Sequence, residues 1–183
     1  MVMVLGIFSV LTAIVTYNYG AFNNQMTLTN LAYEIAMQVR EKQVYSLGVR
    51  SSSNTFDNKY GIYFKKGETS FINFIDSDNN GRCNMLTDQN ILCASNCPSG
   101  SECQNSKSLP RNMKIEDVKI SDTSTNNPVF ISFRRPDTEA IIIDGNGNPL
   151  PSGQVEIIIV SPDSQRKKIV VKQNGYISVE NYE

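Results

Sequence analysis

The first charged side chain of this 183-residue chain is Glu34, and its first fifteen residues, MVMVLGIFSVLTAIV, are almost wholly apolar. A helix of that composition has no polar face to turn toward water, so lipid or other protein must cover it. Beyond Val15 the uncharged stretch grades into Thr16, Asn18, Asn23, Asn24 and Gln25, so only one end suits a bilayer. A membrane span takes about 20 consecutive apolar residues, and this run breaks at Thr16. No Lys or Arg precedes the run and no small-x-small site closes it, which argues against a secretory signal peptide. The residues expected to serve membrane residence and assembly are Val4, Leu5, Ile7, Phe8, Leu11, Ile14 and Val15.

Helical periodicity continues past the apolar run. Leu28, Leu31, Ala32, Ile35, Ala36 and Val39 recur at the three-four spacing of one helix face, with Glu34, Arg40, Glu41 and Lys42 off that face. This spacing predicts one long helix from residue 1 to about 47, stopping near Gly48.

After Gly48 the period becomes two. KYGIYFKK (59–66) and TSFINFID (69–76) alternate around Gly67 as a hairpin. Further strands are expected at 113–120, 129–133, 139–144, 154–160, 166–172 and 175–179, separated by Asn, Gly and Pro turns. The expected fold is α+β: a long N-terminal helix followed by an antiparallel β-sandwich-like head. Its parts are an assembly helix at 1–48 and a head at 49–183, with a Cys-rich insertion at about 76–108.

The segments MVMVLGIFSVLTAIV and NLAYEIAMQVREKQVYSLGVR resemble the leader helix of type IV pilins and type II secretion pseudopilins, nearest to the H-class minor pseudopilins and minor pilins. The resemblance covers about the first fifty residues and is architectural thereafter. It implies a structural subunit of a pilus or pseudopilus, held in the bacterial cytoplasmic membrane by a single pass with its head outside the cytoplasm. Its partners are other pilin or pseudopilin subunits, and its filament lies at the cell surface or in the periplasm. Family members carry a Gly-Phe-Thr/Ser-Leu-x-Glu processing site just before the apolar run. Met1 falls where the residue after that glutamate would stand, so an upstream segment is expected.

Composition narrows the chemistry. The absence of His removes the usual general base, proton shuttle and zinc ligand, so no Ser-His-Asp or Cys-His site can be assembled and an enzyme is not expected. A net charge of −1 excludes a globally electrostatic polyanion binder.

Cys83, Cys93, Cys97 and Cys103 all lie in the insertion, among Asn, Ser, Gly and Pro. In an exported chain they read as two local disulfides stapling a loop, with all three connectivities open. A four-thiolate zinc site is the competing reading, weakened because only Cys93-x₃-Cys97 approximates a knuckle. Immediately upstream, Asp76-Ser77-Asp78-Asn79-Asn80-Gly81 matches the opening of a calcium loop, with hard oxygens at alternate positions and a glycine at the sharp turn. The expected ligands are Asp76, Asp78, Asn80 and Asp88, although Thr87 stands where the loop's closing carboxylate belongs. An ordinary polar turn is the plain alternative. Asp144-Gly145-Asn146-Gly147-Asn148, between two strands, reads as a glycine turn.

Two basic clusters, Arg134-Arg135 and Arg166-Lys167-Lys168 with Lys172, would suit phosphate contacts. Some pilins capture DNA through basic residues in this region, and the resemblance extends that role to Arg166, Lys167, Lys168 and Lys172. Charged protection of strand edges explains the same residues. The alternative function is therefore a membrane-anchored surface binding module, for DNA uptake or adhesion, using this basic region or the Cys-rich loop.

Overall fold

The computed structural model describes residues 2–48, 58–85, 92–93, 97–134, 136–150 and 153–182. Helical backbone spans Val2–Leu47 (α1), and ten strands follow: β1 Lys59–Phe64, β2 Ser70–Asp76, β3 Cys103–Ser108, β4 Lys114–Ile120, β5 Thr123–Ser124, β6 Val129–Phe133, β7 Ala140–Asp144, β8 Gln154–Val160, β9 Arg166–Lys172 and β10 Ile177–Asn181. They form two five-stranded sheets in the orders β3-β2-β1-β6-β7 and β10-β9-β8-β4-β5. All recorded pairings are antiparallel. The chain passes from the first sheet to the second after β3, returns for β6 and β7, and ends in the second.

The expectation of one long helix ahead of a sandwich-like head is corrected. Strand is the larger share of the structure, and the described side chains of α1 form two short helical stretches, 3–14 and 22–47. The two sheets share one core with the helix. Leu28, Leu31, Ala32, Ile35 and Val39 of the second stretch enter one core with Ile62, Phe64, Phe71, Ile131 and Phe133 of the first sheet and Ile115, Val118, Val155, Ile157, Ile159, Ile169 and Val171 of the second. The helix packs on β1 and β6 from one sheet and on β8, β9 and β10 from the other. The inner faces of both sheets and one face of the helix thus meet in a single core.

Polar groups tie the helix down where the stripe of apolar residues ends. Gln43 donates through Nε2 to the carbonyl of Thr138 at 2.8 Å and to that of Gly175 at 3.3 Å, and Lys42 donates to Gln104 at 3.2 Å. Buried amides need such partners, since an unmade hydrogen bond there costs about 1–3 kcal/mol.

The first sheet is buried on both faces, which explains why β1 and β6 show no exposed residue. Period two sends Ile62 and Phe64 toward the helix and Tyr63 the other way. On that far side Tyr63, Ile72, Phe74, Phe130 and Ile143 form a second core with Cys83 and Cys93. The Cys-rich segment therefore covers a sheet face, and its last part, β3, pairs with β2.

Candidate functional site

β1 and β2 pair with Lys59 opposite Asp76, so the end of β2 brings a buried carboxyl beside a cation at the root of the Cys-rich segment. Asp76 Oδ2 accepts a hydrogen bond from the Gly81 N–H at 2.7 Å and lies 3.3 Å from Lys59 Nζ. Its other oxygen, Oδ1, is buried without a hydrogen-bond partner. The turn that follows places Asn79 at φ 64° and Gly81 at φ 80°, left-handed conformations that swing the chain back over Asp76.

Glu102, just before β3, folds onto the same turn. Its Oε1 accepts from the N–H groups of Ser77 at 2.6 Å and Asp78 at 3.3 Å, and its Oε2 from that of Asn84 at 3.3 Å. One carboxylate oxygen from each of Asp76, Asp78 and Glu102 lies within 4.8 Å of the others. Burial, and then the Asp78 carboxylate beside it, push Asp76 up to about 6 despite Lys59. Burial, aided by the charges of Asp78 and Asp76, pushes Glu102 up to about 7 against its backbone hydrogen bonds.

Of the four oxygens expected from the hexapeptide and its continuation, Asp76 and Asp78 come together. Asn80 is turned back into its own turn: its Nδ2 donates to Asp78 Oδ2 and its Oδ1 accepts from the Arg82 N–H. Asp88 lies outside the described residues. Glu102, absent from the sequence reading, completes the cluster. The one local signal for it is that Asp88 and Glu102 are the only acids between Cys83 and Cys103. The second candidate, around Asp144, is a turn in which Asp144 Oδ1 accepts from the N–H groups of Asn146 and Asn148.

The four cysteines pair as Cys83–Cys93 and Cys97–Cys103, which selects one of the three connectivities and leaves no thiolate for zinc. The basic residues of β9 are engaged at home. Arg166 makes a two-pronged bond to Glu116, Lys168 lies 3.2 Å from Glu156 and 3.4 Å from Glu180, Lys167 donates to Asn181, and Lys172 sits over the Tyr176 ring. Arg134 is described and Arg135 is not.

In the apolar run, Met3 is 85% exposed and Ile14 54%, with Val4, Leu5, Ile7, Phe8, Val10 and Leu11 between these values. The side chain of Val15 lies outside the described residues. Among the described residues no helix is long and apolar enough to cross a membrane, which corrects the expected transmembrane helix and says nothing of β-barrels. A second apolar surface lies on the packed stretch. At about 100° per residue, Phe22, Met26, Tyr33, Met37, Val44 and Leu47 fall within about 80° of the helix circumference, opposite the face that enters the core, and all are exposed.

No family model matches the chain, no curated protein matches it, and no solved structure matches it.

The raised carboxyls predict a pH dependence. An acid held above its unfolded value of about 4 takes up protons on folding, so its stabilising contribution is complete below that value. That contribution is lost as pH rises through about 6 for Asp76 and about 7 for Glu102. The chain has no imidazole to compete in this window. In chelator-treated buffer the melting temperature is expected to be higher at pH 5 than at pH 8, with a smaller difference in Glu102→Gln. A melting temperature that climbs from pH 5 to pH 8 would contradict it.

Proposed function

We propose that this chain is a structural subunit, a minor pilin or pseudopilin of a type IV pilus or type II secretion pseudopilus, that assembles through its N-terminal helical stretches. The observation that carries the reading is the two-sided helix. One apolar face of residues 22–47 is spent on the head, and a second, with Met3, Val4, Leu5, Ile7, Phe8, Val10 and Leu11 of the first stretch, is exposed among the described residues. Single exposed apolar residues are ordinary, but a stripe of this extent, interrupted at Arg40, marks an interaction site.

The occupant is the equivalent helix of further subunits. Residues 1–33 carry no charge, so like helices can approach without desolvating ions, and the spacings 22, 26, 33, 37, 44 set side chains in the rows through which helices interlock. Bundled helices bury this surface while the heads face outward. Before assembly, the apolar start rests in the cytoplasmic membrane at one end, with the head outside the cytoplasm; two disulfides agree with an oxidising compartment.

A chain lacking residues 1–25 keeps every residue of both cores, the first being Leu28. It is expected to be folded and monomeric without detergent, whereas the full chain associates or requires detergent. A full chain that sediments as a single monomer in plain buffer would overturn the reading.

A further inference from the structure

We propose that Asp76, Asp78 and Glu102 form a divalent-cation site of calcium chemistry that fastens the Cys-rich segment to the end of β2. The three residues come from a strand end, a turn and the approach to a second strand, yet each places a carboxylate oxygen within 4.8 Å of the other two. An independent feature points to a ligand: Asp76 is fully buried, and its Oδ1 accepts no hydrogen bond although its other oxygen is bound by Gly81 and Lys59. A buried carboxylate oxygen left unpaired is costly, and a cation supplies the missing partner.

Charge agrees. Lys59 offers one positive charge against three carboxylates, which leaves two negative charges, the complement of one divalent ion. The Arg82 guanidinium lies against Gly147 in the turn after β7. Hard carboxylate oxygens suit calcium, whereas magnesium demands a tighter, near-ideal octahedron. Asp78 is exposed, so an ion can enter without unfolding the site. Because Glu102 adjoins Cys103, an ion here would tie the Cys97–Cys103 bridge to the turn at 76–81.

This inference does not depend on the assembly reading: a chain that binds calcium and never assembles keeps it. The test is calorimetric titration of the full chain, in detergent where needed, with calcium chloride, and with magnesium chloride as comparison. Three carboxylates without a dedicated cage predict a dissociation constant of about 10⁻⁴ to 10⁻³ M, as in extracellular calcium modules. At 10 mM calcium the melting temperature is expected to rise by about 3–10 °C, with a smaller rise in magnesium. Glu102→Gln and Asp78→Asn, the latter at an exposed side chain, should each weaken binding at least tenfold. Absence of both heat and melting shift, or calcium binding unchanged in both variants, would overturn the proposal.

Discussion

Ile35→Ala is expected to destabilise the fold by about 2–5 kcal/mol, the range for truncating a fully buried aliphatic side chain. Ile35 is fully buried at the middle of the helix face shared by the two sheets. Its loss opens a cavity bordered by three elements that cannot all close in: the helix is fixed by Gln43 at one end of the face, and both sheets are held by their ladders. Two residues along, Met37→Ala should change stability by no more than about 0.5 kcal/mol, because Met37 is 72% exposed. Urea unfolding of the two variants checks the contrast. Equal losses would mean that the helix does not sit between the sheets as described.

That contrast also shows what the sequence discloses. Period-two alternation located β1, β2, β4, β6, β7, β8 and β9 within a residue or two, because β-branched and aromatic residues there alternate or run together. β10 begins two residues later than the pattern suggested. β3, CQNSKS, carries no apolar alternation; its place comes from pairing with β2, and pairing is a long-range fact. β5 has two residues and no pattern to read.

The inner face of the helix was legible as a three-four repeat, but its partner was not. A periodic face says that something covers it and does not say whether one sheet or two do so. The second, outward stripe escaped notice for a related reason. With apolar residues on opposite sides, neither periodicity stands out from the other, and Arg40 interrupts the outer one in the sequence.

The candidate site divides along the same line. Asp76 and Asp78 belong to one local turn whose spacing carries chemical meaning, and they do converge. Glu102 lies beyond the first disulfide and inside the loop of the second, brought in because its carboxylate accepts from three backbone N–H groups of the turn segment. No spacing rule reaches across twenty-five residues that two disulfides fold back on themselves. The same folding made the Cys-rich segment look coreless: Cys83 and Cys93 are buried on the outer face of the first sheet, in a core built mostly from residues outside the segment.

The second large effect concerns the outward stripe. Met37→Glu combined with Phe8→Lys puts charges on two exposed apolar positions, one in each helical stretch, and touches neither core. Folding should be almost unaffected, since surface changes away from caps and pairs usually stay within about 0.5 kcal/mol. Association should be lost, because a charge buried unpaired between apolar helices costs several kcal/mol at every interface it enters. Sedimentation velocity on the full chain, unmodified and doubly substituted, in the same mild detergent and over the same concentration range, tests this most directly. The account predicts assemblies that grow with concentration for the unmodified chain and a monomer with an unchanged melting temperature for the variant. Identical sedimentation of the two proteins would contradict helix-driven assembly.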